Sequence, residues 1–300
     1  MTAKRLAVLA DIHANLPALE AALSEIEALG VDEIIVAGDM LTGPNPLEVL
    51  QLLRSLGCRM IRGNHENYLL RYYHGDAPDW WYTSRQWAFI YWNYQKLLPE
   101  WLDFLAALPE QLSLDYTGMH AIRVVHGSPR NVSELVNPQQ NPALLDLALS
   151  LVPEPVVVFG HTHNSWQVCR DGRLALNPGA LSGNFTGKPC GGYALLDWAD
   201  DHWRAGLYEV HYNIQQVQAA FRESGLLEAG GPVAQFWLQS LETGVNVLPG
   251  FVEYAIDQAR KAGFYDLPFV PDHIWEQAAV SYAARFADSL TPPSPGTTGI

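Results

Sequence analysis

The sequence predicts an α/β fold in which a largely parallel sheet occupies the first half of the chain. Apolar runs of strand length alternate with helical patterns over residues 6–62, which is typical of βαβ units. Aromatic side chains then crowd residues 67–118, and strand-like runs resume after them. With 300 residues and 48% hydrophobic content, the chain is long enough to bury a sizeable core.

The first half contains three predicted strands and two predicted helices. Asn15 and Asn45 stand just ahead of Pro17 and Pro46, and this order favours a helix start at each place. The strands are predicted at residues 6–10, 33–37 and 59–62, and the helices at residues 17–29 and 46–56.

Residues 67–118 are interpreted as a helical insertion. Apolar and aromatic positions between Trp87 and Trp101 recur at helical spacing, so one amphipathic helix is predicted there. These rings are also suited to stacking on a nucleobase, but the helical period favours packing in the core.

The second half predicts a further sheet followed by helices. Strand-like runs lie at residues 121–125, 156–159, 173–176, 193–198 and 203–211, and the last three are spaced like an antiparallel meander. We therefore expect three parts: a core over residues 1–212, a helical extension over residues 213–290 packed on it, and a disordered tail over residues 291–300.

Charge and hydropathy narrow the possible partners. The net charge of −14 and the lack of a Lys and Arg run argue against long DNA or RNA. No apolar run approaches the roughly 20 residues that a membrane-spanning helix needs. Lys4 and Arg5 precede a short apolar run, but Asp11 interrupts it before a signal peptide forms. We expect a soluble, cytoplasmic protein without a membrane partner.

Ligand-type side chains follow five predicted strands, where the carboxyl ends of strands in an open α/β fold form its binding edge. Each residue alone is more often a cap or a satisfied polar group, but the joint pattern favours one site. The residues are Asp11 and His13 after the first strand, Asp39 after the second, Asn64 and His65 after the third, His126 after residues 121–125, and His161 and His163 after residues 156–159.

The spacing of these residues favours a metal site. In Asp11-x-His13 and His161-x-His163 the paired side chains are two residues apart, so on an extended segment both project to one side. Oxygen and nitrogen ligands without thiolate suit manganese, iron, zinc or cobalt, and ligand type does not fix the choice among them. Manganese is the expected ion, and nickel is a further alternative. Asp39 supplies a carboxylate that bridges two ions about 3.5–4 Å apart.

The ordered motifs resemble the calcineurin-like metallophosphoesterase superfamily and are most similar to its small prokaryotic phosphoesterases. The likeness covers roughly residues 5–210 outside the insertion, and it implies a four-layer α/β/β/α sandwich of two mixed sheets. Residues 177–180, Asn-Pro-Gly-Ala, resemble a turn in these members. The motifs are Asp11-Ile12-His13, Gly38-Asp39, Gly63-Asn64-His65-Glu66, His126 and Gly160-His161-Thr162-His163.

The resemblance also implies a role for each residue. His65 matches the histidine that protonates the leaving oxygen or holds the phosphate. The implied ligands of the first metal are Asp11, His13, Asp39 and His163, and those of the second are Asp39, Asn64, His126 and His161.

This set of residues predicts hydrolysis of a phosphoester by a hydroxide that bridges two divalent ions. Two cations acidify a shared water and neutralise charge on the phosphoryl oxygens, and a histidine donates a proton to the leaving alkoxide. A phosphodiesterase and a phosphatase both remain open. The expected substrate is a small phosphorylated molecule, with a nucleotide as one candidate.

Two arginines are candidates for contacts with the phosphate. Phosphoprotein phosphatases of the superfamily carry an Asp-Arg-Gly element after the Gly-Asp motif, but here Met40 follows Asp39 and that arginine is missing. Arg62 and Arg130 lie near ligand residues in sequence, and Arg130 is suited to a bidentate grip on phosphate. An ordinary surface role is an equally simple interpretation of Arg62.

Two other functions are alternatives to hydrolysis of a phosphoester. Metallo-β-lactamase-like and amidohydrolase-like enzymes also use His-x-His, but the residues after His163 and the opening Asp11-x-His13 argue against both. The alternative is a catalytically silent metal-binding or interaction protein on the same fold. The physiological substrate, the identity of the metal and the oligomeric state remain open.

Overall fold

A computed structural model describes residues 4–265 and 268–290, so the predicted tail at residues 291–300 lies outside the described residues. Two five-stranded sheets form its centre. Their strands are β1 Lys4–Leu9, β2 Glu33–Val36, β3 Arg59–Met60, β4 Gln111–Leu114, β5 Ile122–Val125, β6 Val156–Val158, β7 Ser165–Arg170, β8 Arg173–Pro178, β9 Gly191–Ala199 and β10 His202–Val210.

The two sheets are both mixed. The first has the order β10-β9-β1-β2-β3, in which β1 pairs parallel to β2 and antiparallel to β9. The second has the order β4-β5-β6-β8-β7, in which β5, β6 and β8 run parallel and both edge strands run antiparallel. Each sheet therefore presents carboxyl ends of parallel strands at one edge, which is where the candidate ligands follow.

Helices cover the outer faces of the sheets. They are α1 Leu16–Ala28, α2 Pro46–Ser55, α3 Asn64–His74, α4 Asp79–Thr83, α5 Ala88–Gln95, α6 Pro99–Ala107, α7 Pro142–Ser150, α8 Ile214–Glu223, α9 Leu226–Ala229, α10 Gly231–Thr243, α11 Leu248–Lys261 and α12 Asp272–Leu290.

Alternating side chains of β1 define the layers. Leu6 and Val8 share an apolar cluster with strands of both sheets, so this cluster fills the space between the sheets. Ala7 and Leu9 belong instead to a cluster with α1 and α2. On the outer face of the second sheet, Val157 packs with side chains of α7. The four-layer α/β/β/α sandwich implied by the resemblance is thus confirmed.

The predicted strands all form, with bounds shifted by at most a few residues, but their grouping was partly wrong. The last three do not make one meander, because β8 pairs with β6 and β7 while β9 and β10 extend the first sheet. Short sequence spacing favours local pairing, and here the long hairpin of β9 and β10 pairs instead with β1.

The predicted single helix between Trp87 and Trp101 was also wrong. The chain forms α5 and α6, and the second begins at Pro99, which lacks the N–H that a continuous helix needs there. The predicted insertion includes β4, which joins the second sheet. Asn15 caps α1 as predicted by accepting from the Ala18 N–H, whereas the Asn45 side chain makes no capping bond.

The C-terminal helices extend the core over the first sheet. Trp237 of α10 shares one apolar cluster with Phe89 and Ile90 of α5, so the insertion and the C-terminal region meet. Phe251 of α11 and Trp275 of α12 form a smaller apolar cluster with α10. Among the described residues, no helix is both long and apolar enough to cross a membrane. The division into core and extension stays a prediction.

Candidate metal centre

The loops after β1, β2 and β6 carry an unusual concentration of left-handed backbone. Non-glycine residues rarely adopt positive φ, and such strain collects at functional sites. These residues with their φ values are Asp11 (52°), His13 (44°), Ala14 (49°), Asp39 (52°), Thr42 (71°), His161 (68°) and His163 (55°).

Hydrogen bonds between neighbouring loops hold this backbone in place. The Asp11 N–H donates to the Gly38 carbonyl at 3.1 Å, and the His13 N–H donates to the Asp39 carbonyl at 3.0 Å. The Asp11 carboxylate accepts from the His161 N–H at 2.9 Å, which ties the second sheet to the first. A strained loop therefore persists because the adjacent loop fixes it.

Close approach of the loops explains one glycine. A Cβ on Gly63 would lie 2.1 Å from Asp39 Oδ1, a distance that no side chain allows. With Gly63 in place, the Asp39 carboxylate reaches the start of α3 and accepts from the His65 N–H at 2.9 Å.

The structure brings the seven predicted metal ligands into two adjoining groups. In the first, the Nε2 atoms of His13 and His163 are 3.1 Å apart, and His163 Nε2 is 3.4 Å from Asp11 Oδ1. Asp39 belongs with His13 and His65 as well as with the second group, so it lies between the two.

The second group forms around His126. Its Nε2 atom is 3.2 Å from Asp39 Oδ2 and 3.1 Å from Asn64 Oδ1. His161 completes the set, because its ligand atom lies within 4.8 Å of those of Asp39 and His126. His126 Nδ1 lies 2.7 Å from the Ala37 carbonyl, an N–H donor contact that leaves Nε2 directed at the cluster.

Burial and charge set the protonation of the cluster. Burial alone would raise the pKa values of Asp11 and Asp39. The imidazoles of His163 and His126 hold the pKa of Asp11 below its usual range, and those of His126 and His65 do the same for Asp39. Burial and the neighbouring His65 lower the pKa of His13 to about 3. The buried carboxylates are thus ionised and His13 is neutral, which are the forms that bind cations.

The pKa values of His161 and His126 shift in opposite directions. Burial and the nearby His126 lower the pKa of His161 to about 4, so it too is neutral. Burial would also lower the pKa of His126, but the carboxylates of Asp39 and Asp11 raise it to about 10. A proton on His126 therefore balances charge that a bound cation would balance instead.

The buried donor set fits divalent cations. Asp11 Oδ1 is buried without a hydrogen-bond partner in the described part of the chain, an arrangement that costs free energy unless a cation or water is present. Two imidazoles also face each other through Nε2, at His13 and His163. Carboxylate, carboxamide and imidazole donors without thiolate are the ligands that manganese, iron and zinc accept.

His65 lies beside the cluster, as predicted, and Thr42 holds it. The Thr42 hydroxyl is 2.6 Å from His65 Nδ1 and 3.2 Å from His13 Nδ1. His65 Nε2 is 3.9 Å from Asp39 Oδ2, and burial lowers the pKa of His65. Thr42 was not singled out from the sequence, since a buried threonine in a loop carries no motif.

Glu66 is a second residue whose role the sequence did not disclose. Its fully buried carboxylate accepts from the N–H groups of Asp39 and Gly63 at 2.9 Å and of Leu41 at 3.0 Å. Burial and the nearby Asp39 raise the pKa of Glu66 to about 7. The available signal was its position three residues after Gly63, the spacing of a helix capping box.

The two candidate arginines contact groups outside the cluster. Arg62 donates to the Ala106 carbonyl at 3.3 Å and lies 3.7 Å from the Glu110 carboxylate. Arg130 is exposed and binds the Glu134 carboxylate. Their contact with phosphate stays a prediction.

Comparison with known proteins agrees with this architecture. The calcineurin-like phosphoesterase superfamily domain matches residues 5–201, well over half of the chain. The fold and the clustered ligand residues define a metallophosphoesterase-like α/β protein. This chain belongs to the calcineurin-like phosphoesterase superfamily, as the ordered motifs implied.

Individual relatives lie at moderate distance. The crystal structure of a metallophosphoesterase from Sphaerobacter thermophilus superposes with a TM-score of 0.66 at 30% identity, covering 81% of this chain and 100% of that one. An uncharacterized protein of Methanocaldococcus jannaschii is 26% identical over 236 residues, 72% of this chain and 91% of its own length.

A further relative matches only locally. A symmetrical bis(5'-nucleosyl)-tetraphosphatase of Cronobacter sakazakii is 39% identical over 72 residues, which is 23% of this chain and 25% of that protein.

Proposed function

We propose that this protein is a hydrolase that binds two divalent metal ions and cleaves a phosphoester of a small substrate. The observation that supports it most is the buried double cluster, in which Asp39 lies between the two groups of ligand residues. Asp11, His13, Asp39 and His163 would hold one ion, and Asp39, Asn64, His126 and His161 the other. Manganese is the first choice, with iron, zinc, cobalt and nickel as alternatives.

The two ions would supply an acidified water and positive charge for the phosphoryl oxygens. The protein's own residues orient the reaction. A neutral His13 that offers Nε2 to a cation carries its proton on Nδ1, where the Leu41 carbonyl and Thr42 hydroxyl accept at 3.2 Å. The Thr42 hydroxyl is then free to donate to His65 Nδ1. A neutral His65 consequently holds its own proton on Nε2, where it would donate a hydrogen bond to the leaving oxygen.

We propose a small phosphorylated molecule as the substrate. The local match to a bis(5'-nucleosyl)-tetraphosphatase favours a nucleotide as one candidate, although it spans only 23% of this chain. The alternative function is that of a catalytically silent metal-binding or interaction protein, which would retain the ligand residues and lack turnover. We also propose a cytoplasmic location, which rests on the sequence pattern alone.

The proposal is tested by hydrolysis of p-nitrophenyl phosphate and bis-p-nitrophenyl phosphate by the purified protein. We expect turnover with manganese and none with a chelator. His65→Gln should lower turnover by about 100-fold or more while bound metal stays constant. The matched control His74→Gln changes an exposed histidine at the end of α3 and should be as active as the wild type. Stoichiometric metal without hydrolysis of either ester would favour the silent alternative.

The Thr42 arrangement has its own test. Thr42→Val keeps the β-branched shape at φ 71° but removes the hydroxyl, so His65 loses the group that fixes its tautomer. We expect kcat to fall about tenfold at saturating manganese, with unchanged metal content, and Thr42→Ser to retain most activity. Equal kcat for Thr42→Val and the wild type would remove Thr42 from the mechanism.

A further inference from the structure

A small pocket lies over the first half of the metal centre. It encloses about 140 Å³, and the imidazoles of His13, His65 and His163 form its floor together with Thr42. A ligand in this pocket would therefore contact both a pair of proposed metal ligands and the imidazole of His65.

The opposite wall of the pocket is apolar. Phe89 and Ile90 come from α5, Val233 and Trp237 from α10, and Leu248 from the first turn of α11. We call α5, α10 and α11 the cap. Apart from the floor histidines, no acidic or basic side chain lines the pocket in the described part of the chain.

Trp237 closes the pocket directly against the metal centre. Its ring centroid is 5.2 Å from that of His13 and 5.7 Å from that of His163, both in edge-to-face geometry. Phe185 stacks on His163 at 5.5 Å with an interplanar angle of 8° and also contacts Trp237. Trp237 is only 8% exposed, so the ring is held in a packed position.

The wall is built from two distant chain segments that are joined to each other. The Arg85 N–H donates to Asp272 at 2.9 Å, and Gln86 donates to the Val270 carbonyl at 2.9 Å. Trp80 stacks on Phe269 with centroids 5.5 Å apart. These contacts fix the segment just before α5 to the start of α12. The wall itself is held by apolar packing, because Phe89 and Ile90 share one cluster with Trp237.

We propose that this pocket binds the ester group of the substrate, and that this group is apolar and about the size of one aromatic ring. The inference rests on the proposed function. A dry apolar cavity of roughly 150 Å³ is known to hold benzene, which is the scale of this pocket. A nucleoside is larger, and the additional phosphates of a dinucleoside polyphosphate would find no cation in the lining.

Hydrolysis of such a substrate needs no reactant other than water. Hydrolysis cleaves the P–O bond to the aryl group, and the water oxygen stays on phosphorus. The departing aryl oxygen accepts a hydrogen bond from His65 Nε2–H and takes the proton that the water loses, so the aryl group leaves as a phenol. The floor of the pocket places this oxygen beside His65, because that imidazole lines it.

Binding of phosphonates to the manganese-loaded protein tests the pocket without turnover, since a P–C bond is not hydrolysed. We expect phenylphosphonate to bind about 10- to 100-fold more tightly than methylphosphonate, because one ring leaves water. An adenosine 5'-phosphonate should bind no better than methylphosphonate. Equal affinities for the phenyl and methyl compounds would overturn the proposal, and so would tightest binding of the nucleoside compound.

Enlarging the pocket provides the second arm. Val233→Ala removes two methyl groups from the wall, so 2-naphthylphosphonate should gain about tenfold relative to phenylphosphonate. The matched control Val245→Ala lies outside the pocket at 45% exposure and should leave this ratio unchanged. Trp237→Phe, which keeps an aromatic ring, should shift the ratio in the same direction. An unchanged ratio in both pocket variants would contradict the assignment.

The outcomes separate this inference from the proposed function. Metal-dependent hydrolysis without preference for the phenyl group would leave the function standing and refute the pocket. Selective phenylphosphonate binding without hydrolysis of any ester would support the pocket and refute catalysis. Absence of binding by every phosphonate at saturating manganese would refute the pocket directly.

Discussion

The loops after β1, β2 and β6, which carry the candidate metal ligands and are called the edge here, face the cap across one small pocket. The two regions differ in backbone conformation and in the kind of contact that holds them. The edge consists of loops with seven non-glycine residues at positive φ, whose strain is held by hydrogen bonds between neighbouring loops. The cap consists of regular helices packed through apolar side chains such as Phe89 and Trp237. Fixed polar geometry is thus confined to the edge, and pocket shape to the cap.

This difference explains which interactions are costly to remove. A charge at the edge is buried and accepts several backbone hydrogen bonds, as Glu66 does. A charge beside the cap, on the segment just before α5, is exposed to water, as in the pair of Arg85 and Glu276 of α12. Removing one buried and one exposed charge therefore tests this difference.

The larger effect is expected at the edge. Glu66→Ala leaves the buried N–H groups of Asp39, Leu41 and Gly63 without an acceptor, so the free energy of unfolding should fall by about 3 kcal/mol. Urea denaturation of the metal-free protein measures this. Glu66→Gln keeps one acceptor oxygen and should lose less. A change below about 1 kcal/mol for Glu66→Ala would show that the carboxylate does not hold the edge.

The smaller effect is expected beside the cap, where Arg85 lies just before α5 and pairs with Glu276 of α12. The side chains of Arg85 and Glu276 are 38% and 47% exposed, so water screens their 2.9 Å ion pair. Arg85→Ala should lower the free energy of unfolding by less than about 1 kcal/mol in the same urea experiment. A loss as large as that of Glu66→Ala would show that this ion pair, and not apolar packing, holds the segment before α5 in place.

The position of the site was accessible from the sequence because ligand residues follow strands. Asp11, Asp39 and His126 each come directly after an apolar run, and parallel strands bring such ends to one edge. The starts of the two helices near Pro17 and Pro46 could also be predicted from nearby residues, since a proline and the asparagine before it mark each one. Local signals therefore gave the strands, two helices and the cluster.

The remaining features depend on contacts between distant segments. The pairing of β9 with β1 joins residues roughly 190 apart, and no local pattern distinguishes it from a meander. The contacts of Thr42 with His13 and His65 join separate segments of the chain. The pocket needs Phe89 and Trp237 together, which sequence spacing does not relate. The break at Pro99 was the exception, because proline alone indicated it.

A double metal site with Asp39 between the two ions would be visible by anomalous diffraction from manganese-loaded crystals. We expect two manganese peaks about 3.5–4 Å apart, with the Asp39 carboxylate contacting both. One peak should lie beside His13 and the other beside His126. A single peak, or none, at saturating manganese would rule out the double site.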